Sequence, residues 1–462
     1  MIGTRKFAAL ALALLLSGCK VGPNYKRPVL STPDQYRGVA PDLPGQPAAQ
    51  PFAEMQWETV FQDEALRALI KEALTNNYDM QIAASRILQA EAVVGITRAN
   101  QLPSVSGAAG VDYQHNSLAL NGPTIDSVGI QLNYILDFWG KYRRATEAAR
   151  AQLLGSEYAR SVVQTTLISD VAVAYFQLRQ FDDQLDYSLK TVEADNDILN
   201  LNTIRYKGGD ASITDVYQAD LLLQQAQAQV ISSRQSIAQT ENQISVLLGR
   251  NPGPIARGLP LVDQPHLATV PIGLPSALLQ RRPDVRESEE ALVAANANVG
   301  VAKAAFFPQI SLTGQFGAAS TALTSFLQGP ATVWSVAGEV LQPLYAGGAI
   351  TSSYHLAWAQ RTEAELVYKQ TVLNSFGDVA NSLVGYNQSR LFRLKIEEQT
   401  NTYQETARLA NVRYNGGVTS FLEVLVTQQQ FFTSELALAS AWNAEMQNYV
   451  QLYQALGGGW QP

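Results

Sequence analysis

Charge is scarce in this sequence: charged residues fill 16% of its 462 positions, while apolar residues reach 46%. Soluble domains usually carry about 25% charged residues, so these surfaces are expected to face something other than bulk water. Cysteine occurs once, at Cys19, which rules out a disulfide within a monomer. Histidine occurs three times, at His115, His266 and His355, too far apart to offer metal-ligand spacing. No glycine loop with a phosphate-binding lysine and no Gly-x-Ser-x-Gly elbow is present. No catalytic residue, metal or bound cofactor is therefore expected. No run of about 20 apolar residues follows the N-terminus, so no spanning helix is available. A membrane crossing would need strands in a closed barrel, because lipid cannot satisfy an open sheet edge.

The first residues read as an export signal. Arg5 and Lys6 precede a short apolar run, Phe7 to Leu16, followed by Leu16-Ser17-Gly18-Cys19. Two slim side chains immediately before the thiol suit a lipoprotein peptidase, so Cys19 is expected to carry a diacylglycerol and an N-acyl chain. Lys20 follows in place of an aspartate, and resemblance to sorted bacterial lipoproteins then directs the chain to the outer membrane. Loss of residues 1–18 lowers Lys+Arg from 33 to 31 against 40 acidic side chains, a net charge of about −9. Nucleic acid is an unsuitable partner for such a chain.

The most informative feature is an internal repeat. Gly95 and Pro103 match Gly300 and Pro308 at an offset of 205. Ser127-Val128, Gly140, Arg205-Tyr206, Gly208-Gly209 and Leu248-Gly249 match Ser335-Val336, Gly348, Arg413-Tyr414, Gly416-Gly417 and Leu456-Gly457 at an offset of 208. Each half begins with two segments of period-two alternation, such as Val105, Gly107, Ala109 and Val111 against Ser104, Ser106, Ala108 and Asp112. Such alternation predicts a sheet with one apolar and one polar face, although a sheet packed on a soluble core gives the same pattern. The last strand is expected to run from Val333 to Leu344.

Long proline-free stretches follow, Arg143–Lys207 and Ala349–Asn415, each ending at a glycine pair. Glycine suits a helix C-terminus because it reaches the left-handed conformation without steric cost. Gly208, Gly209, Gly416 and Gly417 are thus expected to bend two long helical hairpins at their tips. The stripe Leu167, Val171, Ala174, Tyr175 and Leu178, flanked by Gln, Asn and Ser, points to coiled-coil packing. The organisation expected is a signal peptide (1–18), a lipid-anchored extended tether (19–56) with seven prolines, and an equatorial and helical segment (57–103). Then come a first β-hairpin (104–138), a first helical hairpin (139–250) and an equatorial linker and helix (251–308). A second β-hairpin (309–345), a second helical hairpin (346–457) and a C-terminal tail (458–462) complete the chain.

Four strands are too few to close a membrane barrel, whose smallest bacterial examples have about eight. An open sheet would leave two unpaired edges in lipid. Three copies would supply twelve strands.

The residues that carry a family resemblance are Cys19-Lys20-Val21-Gly22-Pro23-Asn24-Tyr25 with Arg27-Pro28, then Leu136-Asp137-Phe138-Trp139-Gly140 with Arg143-Arg144. Arg281-Arg282-Pro283-Asp284-Val285-Arg286, Phe306 to Gly314 and Pro343 to Gly348 extend it over nearly the whole mature chain. The sequence resembles the TolC-like outer-membrane efflux proteins, in the lipoprotein branch that serves resistance-nodulation-division pumps. The resemblance implies an α+β membrane protein. It would be a homotrimer with a twelve-stranded barrel, a periplasmic α-helical barrel and a mixed equatorial domain. It also implies docking to a periplasmic adaptor and an inner-membrane transporter, with small molecules passing to the exterior. A channel for one-step protein secretion would share the architecture, but most such channels lack the lipobox. A coiled-coil lipoprotein scaffold is the non-channel alternative.

In that family acidic residues near the inner helical tips ring the periplasmic constriction. Glu423 and Asp215 match each other at the offset of 208 and follow the two glycine pairs. The resemblance places Glu423 on the pore-lining copy and Asp215 on the outer pair, holding the closed state. Three Glu423 carboxylates would favour cations. Equally, both acids could simply start a helix, where a carboxylate complements the macrodipole. Val426 stands where many relatives carry a second acid, so the ring would be single.

Overall fold

The computed structural model describes residues 20–33, 36–37, 51–113, 124–267, 270–271, 275–321 and 331–460. The signal segment, Cys19 and His115 lie outside the described residues. The chain forms two compact units. One comprises residues 1–30, 85–157 and 287–370, the other residues 31–84, 158–286 and 371–462.

The first unit holds an antiparallel sheet of four strands in the order β1-β2-β3-β4: Ser104–Tyr113, Thr124–Leu136, Gln309–Ser320 and Thr332–Leu341. Residues directly opposite in register share a face, which makes the alternation testable. Val105 faces Leu132, Gly107 faces Ile130 and Ala109 faces Val128; Ile130 faces Phe316, and Phe316 faces Trp334. The other face pairs Ser106 with Gln131, Asn133 with Thr313, and Gln315 with Ser335. One face is therefore mainly apolar across all four strands, interrupted by Asp126 and Ser320, and the other is mostly polar. The last strand ends at Leu341, three residues short of the expected Leu344. Pro343 has no N–H to offer a ladder and closes the strand early.

The helices of the two halves repeat with the offset seen in the sequence. α3 (Lys141–Gly208) corresponds to α7 (Ala349–Asn415), and α4 (Ile213–Leu247) to α8 (Phe421–Ala455). The last two are each 35 residues long. They begin 208 residues apart and end 208 residues apart. The left-handed glycines repeat as well: Gly140 and Gly348 (φ 76° and 83°), Gly209 and Gly417 (84° and 71°), Gly249 and Gly457 (70° and 82°). Only the second residue of each tip pair is left-handed. Gly208 closes α3 as its last helical residue.

Shorter helices complete the chain: α1 (Glu64–Asn76), α2 (Tyr78–Ala99), α5 (Pro275–Arg281) and α6 (Pro283–Ala304). Within the first unit α3 and α6 meet through Ala148, Ala151, Ala294 and Ala297, small side chains that let helix backbones approach closely. The second unit has the larger core, in which Phe52 lies 5.1 Å from the ring of Tyr449 and 5.2 Å from that of Tyr453. Leu66, Ile70, Tyr175, Ile244, Leu278 and Met446 are buried in the same cluster.

The Arg-Arg-Pro-Asp-Val-Arg block ties α5 and α6 to this core. Pro283 opens α6, a position that needs no N–H. Arg282 donates to Asp284 (2.6 Å) and Asp378 (3.0 Å), and the Arg281 carbonyl accepts from the Trp460 indole (2.7 Å). Arg286 lies over the Tyr158 ring.

Candidate functional site

Two features of these units stand apart: an open sheet surface and a pair of helical tips. On the sheet, the apolar face is open. Val111, Phe316, Trp334, Val336 and Val340 are all exposed, and contiguous exposed apolar surface marks a membrane or partner contact. The first and last strands, β1 and β4, are edges within the chain. Among the described residues no helix is long and apolar enough to cross a membrane.

The tips lie in the second unit, where the two copies have diverged. In the first copy Ser212 caps α4. Its hydroxyl accepts from the Thr214 N–H (3.1 Å), while the Asp215 carboxylate accepts from the Ser212 N–H (3.0 Å). Together they form a capping box that satisfies otherwise orphaned donors. Asp215 thus caps a helix beside the glycine pair.

In the second copy Ser420 makes no side-chain cap bond. Glu423 instead accepts from Arg413 Nη1 (2.8 Å) and from the Thr419 hydroxyl. Its side chain is one-third exposed, and the neighbouring guanidinium balances its charge.

The residues that join the two tips were not apparent in the sequence. Tyr414 donates its hydroxyl to Asn202 Oδ1 (2.8 Å), and the Arg205 guanidinium sits 4.6 Å from the centre of the Tyr414 ring. Phe421 is 3% exposed, in a cluster with Ala219, Ala410 and Val424. Its counterpart in the first copy, Ile213, is 39% exposed. Disagreement between copies could have found two of them, Asn202 against Ala410 and Phe421 against Ile213, whereas Arg205 and Tyr414 lie where the copies agree.

Two buried carboxylates of the same unit, Asp63 and Glu445, sit among donors and cations. Asp63 caps α1 and accepts from Gln264 (2.7 Å), the Tyr175 hydroxyl (2.8 Å) and the Leu259 N–H (2.9 Å). Burial alone would raise its pKa, but these hydrogen bonds prevail and hold it below the usual carboxylate range. Glu445 is wholly buried. It accepts from Arg393 Nε (2.8 Å) and faces His266 Nε2 (3.2 Å). His266 Nδ1 lies 3.0 Å from the Gln264 carbonyl. Both ring nitrogens face acceptors only, so the geometry calls for an imidazolium. The hydrogen bond to Glu445 accordingly raises the pKa of His266, against the opposing effect of burial.

Comparison with known proteins bears on both features. The family described as "Outer membrane efflux protein" matches residues 69–250 and 274–458. The chain is 30% identical over 459 residues to the cation efflux system protein CusC of Escherichia coli, covering 99% of each. It is 34% identical to the solvent efflux pump outer membrane protein SrpC of Pseudomonas putida, covering 98% of this chain and 99% of that one. A crystal structure of CusC superposes with a TM-score of 0.87 at 28% identity, covering 96% of this chain and 100% of that one. The open state of the Neisseria gonorrhoeae MtrE outer membrane channel also gives 0.87 at 28% identity, covering 96% and 99%. With its amphipathic four-stranded sheet and duplicated helical hairpins, the chain belongs to the outer membrane efflux protein family and is an outer-membrane channel that extends into the periplasm.

Proposed function

We propose that three copies of this chain close into one conduit that carries small molecules passively from the periplasm to the exterior. The observation that carries the reading is the open sheet, mainly apolar on one face and mostly polar on the other. In lipid, the edges β1 and β4 must each find a partner. Another copy of the same sheet supplies it, and three copies give a twelve-stranded barrel with an apolar outside and a polar lumen. The chain would be held to the outer membrane by acyl groups on Cys19. It would work with a periplasmic adaptor and an inner-membrane resistance-nodulation-division transporter, which supplies the energy.

The relatives' names span cations, solvents and, for ArpC at 32% identity, antibiotics. Similar identity across such different cargo suits a conduit that leaves selection to its pump. The gate would be the inner tip, closed by Tyr414–Asn202, Arg205 on Tyr414, and Arg413–Glu423. Gly209 and Gly417 would serve as its hinge points, with Gly208 and Gly416 beside them. The test is single-channel recording in planar bilayers together with mass measurement in detergent. A trimer of low resting conductance that opens when Tyr414 and Glu423 are substituted is expected. A non-conducting monomer would overturn the reading.

A further inference from the structure

The segment that follows Cys19 is gripped along its length within the first unit. Arg144 is 1% exposed, and two of its three guanidinium nitrogens bond to this segment. Nε donates to the Val21 carbonyl (3.1 Å), and Nη2 donates to the Gly22 carbonyl (3.2 Å) and to Asn24 Oδ1 (2.8 Å). Nη1 donates to Glu147 (3.1 Å), which also pairs with Lys20. The Val21 N–H donates to the Trp139 carbonyl (3.1 Å). Asn296 donates to the Pro23 carbonyl (2.9 Å), and Glu289 receives both Tyr25 (3.1 Å) and Arg27.

The segment also crosses α6 at van der Waals limits. A Cβ at Gly22 would lie 2.5 Å from the Cα of Gly300, and one at Gly300 would lie 2.9 Å from the Val21 carbonyl. Gly95, the repeat counterpart of Gly300, has nothing within 4 Å of such a Cβ. Ser352 stands where the second copy would need an equivalent of Arg144, at the offset of 208. Each half supplies one part of the grip, Arg144 from the first and Gly300 from the second, and neither part is repeated in the other half.

We infer that Arg144 is a positioning residue that clamps residues 20–28 as a rigid strap, so that the lipid-bearing N-terminus is held at the Trp139–Gly140 corner, where strand β2 gives way to α3. The inference rests on the reading of Cys19 as the lipid anchor. A buried guanidinium stripped of three acceptors would be strongly penalised, so strap and helix hold each other. The chain between anchor and channel is then a strut of fixed length. An untied tether of these residues would leave the anchor free to wander.

The test uses the full mature lipoprotein in detergent. Trypsin can cut the strap after Lys20 and Lys26, Arg27 being followed by proline. Arg144→Gln, and Asn296→Ala as a milder variant in case the first fails to fold, should each speed cleavage after Lys26 at least tenfold relative to cuts elsewhere. Arg150→Gln, an exposed change on the same helix, should leave it unaltered. Spin labels at Lys26→Cys and Leu154→Cys should report one narrow distance in the parent chain and a broad distribution with Arg144→Gln. Unchanged cleavage and distance in both variants, or cleavage that rises equally everywhere, would overturn the clamp. Mass spectrometry of the released fragment tests the anchor separately. A fragment without acyl groups removes the anchor, and with it the positioning role, even if Arg144 still controls cleavage.

Discussion

The two helical hairpins began as the same object, and their differences show how a duplicated chain divides labour. At one pair of equivalent positions the first copy carries Leu185 and Ile237, and the second carries Arg393 and Glu445, each offset by 208. The first pair is apolar and half-buried. The second is a buried ion pair with Trp442 stacked 4.0 Å from the guanidinium and His266 reaching in from the linker. At the tips the order reverses: the first copy closes on its own capping box, and the second turns its polar groups toward its neighbour. Helix length, offset and glycine geometry are shared. Contact chemistry is not.

The largest expected effect comes from breaking the buried charge pair on one side only. Glu445→Ile alone should destabilise the fold by about 3–5 kcal/mol, because it leaves Arg393 Nε and His266 without their buried acceptor. Joined with Arg393→Leu, which installs the first copy's solution, most of that loss should return. Denaturant unfolding of the three proteins decides it, and a double variant no better than the single one would show that the copies are not interchangeable here. The same cluster gives a pH signature. His266 has its pKa raised above its ordinary 6.5 by Glu445, so its contribution is complete below about pH 6.5 and is lost as pH rises through the folded value. His266→Gln should flatten that decline in melting temperature above pH 6.5.

At the tips, Phe421→Ala should cost about 3 kcal/mol locally, while Ile213→Ala should cost less than about 1 kcal/mol. Protease sensitivity of the two tip loops would read the difference, and equal sensitivity would erase the asymmetry. Tyr414→Phe removes the bond to Asn202, worth about 1 kcal/mol, and should raise resting conductance, whereas Tyr206→Phe should not. The smallest effect belongs to Glu423→Gln. Its partly exposed ion pair is worth at most about 1 kcal/mol, so its effect on conductance should fade as salt is raised. Asp215→Asn, acting through a cap, should keep its effect at high salt.

Much of this architecture was legible in the sequence because it depends on local rules. Alternation from Val105 onward marked the strands, an ordered series of matches marked the repeat, and proline-free stretches ending in glycine pairs marked α3 and α7. The candidate gate was legible only in part. Asp215 and Glu423 occupy equivalent positions, but which acid caps a helix and which pairs with Arg413 depends on how the tips pack. The residues that join those tips, Asn202, Arg205 and Tyr414, look like ordinary polar positions of a coiled coil. The long-range bond of Asp63 to Tyr175 and the Arg144 strap were equally hidden, since their partners are more than a hundred residues apart.

By itself, then, the sequence determined the periodicities: strands of period two, helices of fixed length, and a duplication at constant offset, because each follows from the steric preferences of neighbouring residues. Tertiary structure alone decided which of two matching acids would be a cap and which an ion pair. It also decided that the stretch after Cys19 would be a docked strap, because a buried charge takes its partners from whatever the fold brings within about 3 Å.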